Sequence, residues 1–330
     1  MRVRRPPKAT SSMPGHRLIH RFVPDAAALA RELVDGLLSP RATIAPKFLY
    51  DDLGCALYGA ICLLPEYYLT RTEAAIFARE QQAIAHAARA TRQLIDLGAG
   101  DCAKARFWIP RLRPARYVAV DLAASALDRA LRELALDFPE PEIVGVITDF
   151  TAGLDLDGAL DQTPALFFYP GSSIGNFAPE DAIAFLAAIR AECAKRRGSG
   201  LLIGVDLVKD AQRLSGAYDD ALGVTAAFNR NVLHHVNAMI GSDFRPSAFA
   251  HRGVWNAGEM RIEMHLEAIA EERVSIDGHA RHFGAGERIH TESSYKYTLD
   301  GFDRLLARAG FGTRRAWTDG ASDFAVYYAE

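Results

Sequence analysis

Two hydrophobic rhythms alternate along the first part of this chain. In residues 25–38, apolar Ala28, Leu29, Leu33 and Leu37 recur at helical spacing until Ser39-Pro40 stops the pattern, which predicts an amphipathic helix. Thr70 and Glu73 have the spacing of a capping box ahead of a helix over 74–90. Short apolar runs follow: 94–97, broken only by Asp96, then 117–121, 142–150, 165–169 and 200–206 read as buried strands, with helices over 125–136 and 182–196 between them. This β-α alternation predicts a parallel, doubly wound sheet whose ligand lies at the carboxyl ends of the strands.

The alternation stops after Asp206. Residues 214–240 read as mostly helical, while 260–270 and 272–276 alternate as strands do and predict a hairpin, so a different domain interrupts the sheet. Residues 300–309 then form a helix ended by Gly310, and runs 313–317 and 324–329, joined by the polar turn 318–323, predict a hairpin that closes the sheet.

Composition narrows the class without naming it. With 330 residues, 49% of them hydrophobic and 24% charged, the chain is an ordinary globular one, and a net charge of -3 gives no general drive toward nucleic acid or anionic lipid. No run approaches the roughly twenty apolar residues that cross a bilayer. The basic start of the chain is followed by residues too polar for a signal peptide, and residues 1–17 read as a disordered tail. The cysteines, Cys55, Cys62, Cys102 and Cys193, show no CxxC spacing. His234 and His235 are adjacent on a helix, and His279 and His282 fall in a polar turn, so neither pair reads as a metal site. The expectation is a monomeric cytoplasmic protein with reduced thiols, no metal, and no nucleic-acid or membrane partner.

Candidate chemistry begins at Gly98-Ala99-Gly100, a glycine turn between the first strand of the alternating region and a helix. Asp121 follows at roughly the twenty-residue distance from which a carboxylate accepts hydrogen bonds from ribose hydroxyls. With Ala103 the turn also meets the looser dinucleotide fingerprint, so a nicotinamide dehydrogenase stays open on the loop alone. The mid-chain position of the turn, the acid at Asp149-Phe150 and the terminal hairpin favour instead the class I fold that binds S-adenosylmethionine. Asp121 would then hold the ribose, and Asp149 with Phe150 would flank the adenine; the plain alternative for Asp149 is a strand-end cap. Tyr67 and Tyr68, on loop backbone after Pro65, are equally placed for binding or for packing.

The flanking segments resemble those of the histidine-specific methyltransferases of ergothioneine biosynthesis, from about Phe22 onward. The matching stretches are Phe48-Leu-Tyr-Asp-Asp-Leu-Gly54, Leu64-Pro-Glu-Tyr-Tyr-Leu-Thr-Arg-Thr-Glu73, Asp96-Leu-Gly-Ala-Gly100, Gly171-Ser-Ser-Ile-Gly-Asn176, Asp206-Leu-Val-Lys-Asp210, Ala217-Tyr-Asp-Asp220, Phe228-Asn-Arg-Asn231 and Thr291-Glu-Ser-Ser-Tyr-Lys296. The resemblance implies an α/β fold with a class I, Rossmann-like, mostly parallel sheet, a C-terminal antiparallel hairpin and an inserted α+β substrate-binding domain. It assigns 18–70, 90–206 and 295–330 to the methyltransferase domain and 71–89 with 207–294 to substrate recognition. It further implies successive transfer of methyl groups from S-adenosylmethionine to the α-amine of L-histidine, giving hercynine. Another amino acid such as tryptophan, or a histidine-derived metabolite, is the alternative substrate.

Carried over by residue, Asn176 would hold the substrate amine with Tyr50 nearby, and Tyr67 with Tyr218 would bind the carboxylate. Glu292 and Ser294 would recognise the imidazole, with Met264 lining that side. Gly98, Gly100, Lys104, Asp121, Asp149 and Phe150 would hold the cofactor. These residue types suit such ligands, because a buried carboxylate is costly unless a ligand N–H pairs with it, and tyrosine rings tolerate a methylated ammonium. The plain alternative for Glu292 is a surface acid on a strand.

Overall fold

The computed structural model describes residues 15–21, 25–151 and 153–330. In chain order the elements are β1 (His16–His20), α1 (Ala26–Leu38), α2 (Asp52–Ile61), α3 (Tyr68–Ala87), β2 (Gln93–Leu97), α4 (Ala103–Leu112), β3 (Arg116–Asp121), α5 (Ala124–Asp137), β4 (Glu142–Ile147) and β5 (Ala165–Tyr169). There follow α6 (Pro179–Ala194), β6 (Gly200–Asp206), α7 (Ala211–Tyr218), α8 (Val224–Ile240), β7 (Phe249–Asn256), β8 (Arg261–Ala268), β9 (Glu272–Ile276), β10 (His279–Phe283), β11 (Arg288–Tyr295), α9 (Leu299–Arg308), β12 (Arg314–Thr318) and β13 (Phe324–Ala329). The chain divides into two compact units. Of the described residues, one takes in 15–21, Ala88–Phe168 and Glu192–Ser199; the other takes in 25–87, Tyr169–Ala191 and Gly200–Glu330.

The first unit holds parallel strands in the order β1-β4-β3-β2-β5. Every residue of β2 and β5 is buried, which is why their sequences read as apolar runs without alternation. Successive strands step one way from β2 to β3 and β4, then the other way to β5. The reversal at β2 makes its carboxyl end the switch point of the sheet, where such folds open a crevice for ligands. Asp96 is the acid in that buried run, and Tyr117 on β3 donates to its Oδ2 at 2.9 Å.

The second unit contains the antiparallel set β6-β13-β12, which includes the terminal hairpin read from the sequence, and an antiparallel sheet in the order β11-β8-β7. Several expectations change here. The runs ending at 270 and 276 do not pair with each other: β8 lies between β7 and β11, while β9 pairs with β10. His279 and His282 therefore stand on a strand, not in a turn. Strand β7 leaves no clear sequence signal because its burial does not alternate, and β11 leaves none because an irregularity between His290 and Glu292 breaks its period.

The predicted capping box is also absent. Helix α3 starts at Tyr68, so Thr70 and Glu73 lie inside it, and buried Glu73 accepts the backbone N–H of Gly171 at 2.7 Å. Tyr68 is thus helical, while Tyr67 precedes the helix. Strand β4 stops at Ile147, leaving Asp149 and Phe150 in the loop beyond it. At the N-terminus, β1 begins at His16, within the stretch read as a tail, whose residues 1–14 lie outside the described residues. Among the described residues no helix is long and apolar enough to cross a membrane, and no cluster of His, Cys, Asp and Glu is grouped to hold a metal.

Candidate active site

The cofactor candidates converge at the switch point of the first unit. Beyond β2 the backbone turns through Gly98 at φ +72° and Gly100 at φ +53°, angles that L side chains rarely adopt. A Cβ on Gly98 would lie 3.7 Å from the Phe150 ring, and one on Gly100 would meet nothing within 4 Å. The turn therefore leaves bare backbone beside open space. Asp121 closes β3 and steadies this turn: its Oδ2 accepts the Gly100 N–H at 2.9 Å and its Oδ1 accepts that of Ala123 at 3.0 Å. An ionised carboxylate has about four lone-pair sites, so each oxygen can take a further hydrogen bond from a ribose hydroxyl.

Lys104, half-buried on the first turn of α4, is near enough for its charge to act on Asp96. Burial pushes the Asp96 carboxyl up to about 7, against the Tyr117 hydrogen bond and the Lys104 charge, which hold it down. Asp149 accepts from the backbone N–H of Thr151 at 3.1 Å and from its hydroxyl at 2.5 Å, so its carboxylate braces the loop beyond β4. The open glycine backbone, the acid that braces it and the Phe150 ring beside the turn together fit a nucleoside-bearing cofactor.

The substrate candidates come together in the second unit, and strand register explains how. Along β11, Ile289 stands opposite Leu266, but after the irregularity Glu292, not Thr291, stands opposite Met264, and Ser294 opposite Ile262. Because partners directly opposite share a face, the bulge moves Glu292 and Ser294 onto the face of Met264. Both are buried, 7% and 3% exposed, so the surface-acid reading of Glu292 is wrong. Burial raises its carboxyl to about 7 while Lys296 pulls it down, and its Oε2 is buried without a hydrogen-bond partner.

Tyr218 ends α7 and is seated by backbone contacts. The carbonyl of Tyr218 lies 2.7 Å from Nε2 of His251, and Gly253 lets that carbonyl approach so closely that a Cβ there would come within 2.7 Å of it. The Tyr218 hydroxyl lies 2.9 Å from Ser294 Oγ. Its ring meets Tyr67 edge to face at 6.1 Å, Tyr67 meets Tyr58 at 6.3 Å, and Tyr58 and Phe228 each meet Tyr50 at under 6 Å, at 5.7 Å and 5.6 Å. Loss of hydration, then the charge of Glu292, lifts the Tyr50 phenol above its ordinary range, although 38% of the residue stays exposed. Burial likewise raises Tyr67 and Tyr218, so all three phenols keep their protons near neutral pH.

Asn176 ends a short 3₁₀ turn, Ser173–Asn176, and is exposed. The preceding Gly175 packs so tightly on β11 that a Cβ would fall 2.7 Å from the Tyr295 carbonyl and 3.4 Å from Ser294 Oγ. The turn bearing Asn176 is thereby pinned to the strand bearing Glu292 and Ser294.

Sequence reading missed a buried charged group behind these residues. Lys296, fully buried, lies 2.9 Å from Asp206 Oδ2, and Tyr68 and Lys209 bond the same carboxylate at 2.8 Å and 2.5 Å. A signal existed: strand periodicity puts 292, 294 and 296 on one side of the chain, and a lysine continuing such a series needs a buried acid. Acids and amides in the flanking stretches have scaffolding duties. Asn231 donates to Asp51 at 2.6 Å, Asp51 caps α2 through the Gly54 N–H, and Asp220 accepts the first N–H groups of α8. Tyr58 and Phe228 join the ring cluster from these same helices, α2 and α8.

Comparison with known proteins identifies the family. Residues 29–330 match the family model described as histidine-specific methyltransferase, SAM-dependent. The chain is 39% identical over 312 residues to a histidine N-alpha-methyltransferase of Mycobacterium tuberculosis, covering 92% of this chain and 94% of that protein. It is 39% identical to the protein of the same name from Mycolicibacterium smegmatis, covering 92% and 95%. It is 29% identical to N-methyltransferase imqF of Aspergillus flavus, covering 88% and 82%. A turn that fits a nucleoside, a strand face that presents an orphan carboxylate, and these matches lead to one conclusion: the chain belongs to the histidine-specific, S-adenosylmethionine-dependent methyltransferase family and is an N-methyltransferase.

Proposed function

We propose that the chain methylates the α-amino group of free L-histidine three times in succession, producing hercynine for ergothioneine biosynthesis. The observation that carries this reading is Glu292: a buried carboxylate with an unpartnered oxygen, beside the Ser294 hydroxyl on the same strand face. An orphan acceptor of that kind costs about 1–3 kcal/mol and calls for a ligand that brings an N–H. An imidazole does so at the right size. The names of the mycobacterial relatives support the same substrate, and a fungal relative named ergothioneine biosynthesis protein 1, 30% identical over 284 residues, supports the pathway.

The roles follow from chemistry. S-adenosylmethionine supplies an electrophilic methyl on sulfur, and Gly98, Gly100, Lys104, Asp121, Asp149 and Phe150 are the residues that would hold it. Asn176 accepts an N–H of the substrate amine through its side-chain carbonyl, which leaves the nitrogen lone pair oriented for direct displacement. An α-amine has a pKa near 8, so a minority is unprotonated at neutral pH and activity rises toward alkaline pH. Tyr67 donates its phenolic O–H to the carboxylate, the Tyr218 ring lies against it, and Met264 packs against the imidazole. Tyr50, as a protonated phenol, offers its ring face and O–H, not a base. With Tyr58 and Phe228 it surrounds the growing methylammonium, where each cation-π contact contributes about 0.5–2 kcal/mol. In this reading 71–89 and 207–294 form the substrate-recognition domain.

The test is incubation with labelled S-adenosylmethionine and a panel of free amino acids, with products assigned by mass and by NMR. Mono-, di- and trimethylhistidine bearing all methyls on the α-nitrogen are expected. Methylation of tryptophan alone, or of a ring nitrogen, would sink the proposal.

A further inference from the structure

The ammonium of Lys296 has three N–H groups and no acceptor, and the structure offers it three oxygens: Asp206 Oδ2 at 2.9 Å, Tyr218 Oη at 2.8 Å and Ser294 Oγ at 2.9 Å. All three donors are therefore spent, and both hydroxyls accept from the lysine. Tyr218 and Ser294 also lie 2.9 Å from each other, so one of their two protons bridges the pair and a single proton is left to point elsewhere. A phenol is the stronger donor and an aliphatic hydroxyl the stronger acceptor. The bridging proton thus belongs to Tyr218, and the outward one to Ser294.

We propose that Lys296 is a positioning residue for substrate recognition: by occupying Ser294 and Tyr218 as acceptors, it fixes Ser294 as a hydrogen-bond donor toward the substrate ring. This role rests on the histidine reading above and sharpens it. Glu292 accepts the ring N–H, Ser294 donates to the other ring nitrogen, and the site selects neutral imidazole in one orientation. Tyr67 is then the phenolic donor left for the substrate carboxylate, with Tyr218 contributing its ring edge. The lysine stays charged in this role because Asp206 and Tyr218 outweigh the burial that opposes its charge.

Two histidine analogues separate the contacts. A pyrrolylalanine keeps a ring N–H but has no acceptor nitrogen, and a thiazolylalanine keeps an acceptor but has no N–H. Binding of histidine and both analogues is measured calorimetrically for the wild type, Lys296→Met and Lys296→Gln, each saturated with S-adenosylhomocysteine. The wild type should disfavour each analogue by about tenfold or more, the worth of one buried hydrogen bond. In K296M the discrimination against the pyrrole should fall several-fold while that against the thiazole is kept, with K296Q in between because it retains two N–H donors. General damage to the fold would lower all three affinities together and leave both ratios intact. A wild-type pyrrole ratio in K296M, or in K296Q if K296M does not fold, overturns the inference while leaving the substrate reading standing. Failure of the wild type to bind histidine at all overturns that reading and the inference with it.

Discussion

The two functional regions of this molecule are built from different materials. The cofactor turn is backbone: two glycines at positive φ, and one aspartate that accepts a turn N–H. Its parts lie within about twenty-five residues of sequence, as the dinucleotide-type fingerprint requires. The proposed substrate face is side chain: Tyr50, Tyr67, Asn176, Tyr218 and the β11 pair Glu292 and Ser294 come from distant stretches of the chain, oriented by a strand irregularity and by a buried lysine-aspartate pair. Under the proposed function the first region serves the cofactor and the second selects the substrate. Damage to one should therefore leave affinity at the other nearly unchanged.

Asp121→Ala puts that separation under the heaviest load. Losing the acceptor that steadies Gly100 and, in the proposed function, takes the ribose hydroxyls should weaken S-adenosylmethionine binding on the order of 100- to 1,000-fold, with histidine affinity measured calorimetrically staying within about threefold. Parallel losses in both would erase the distinction between the two regions.

Glu292→Gln probes what substrate specificity costs the fold. In the folded, ligand-free protein the carboxyl holds its proton up to about pH 7, against an ordinary glutamate value of 4.5. Between those pH values the folded form binds more protons than the unfolded chain, so rising pH lowers stability through this window. Glutamine removes the dependence. Denaturant titrations should find E292Q and wild type similar near pH 4.5, with the variant more stable by roughly 3 kcal/mol at pH 8. An unchanged gap across that range would mean that Glu292 is hydrated or paired.

Gly253→Ala disturbs the substrate face without touching a ligand-binding side chain. The new methyl meets the Tyr218 carbonyl at 2.7 Å and must displace it. A stability loss of about 1–2 kcal/mol is expected, together with a several-fold rise in KM for histidine and an unchanged KM for the cofactor. Tyr50→Phe is the mildest change. Because the phenol keeps its proton, kcat should fall by less than about tenfold; a larger fall, with the alkaline limb of the rate profile abolished, would make Tyr50 the base after all.

The same contrast explains what could be read from the sequence. Gly98, Gly100 and Asp121 were legible because backbone angle and strand spacing leave a local trace, and the terminal hairpin because its strands are adjacent in the chain. Glu292 and Ser294 could be placed by family resemblance and by their two-residue spacing on one side of a strand, but which face that side joins could not be read, since the irregularity before Glu292 resets the alternation. Glu73 misleads for the opposite reason. Its local spacing matches a helix cap, and only tertiary structure shows the carboxylate turned to the Gly171 N–H. Lys296 and Asp206 are ninety residues apart, and nothing local announces that one neutralises the other.

The central claim is that substrate identity resides in Glu292 and its strand face, independent of the cofactor turn. Its most direct measurement is a competition assay in which wild type and Glu292→Ala receive equal amounts of histidine, tryptophan and tyrosine with saturating S-adenosylmethionine, products being counted by mass. The wild type should consume histidine, while the variant, with cofactor affinity intact, loses that preference by about 10- to 100-fold. An undiminished preference for histidine in the variant would contradict the claim.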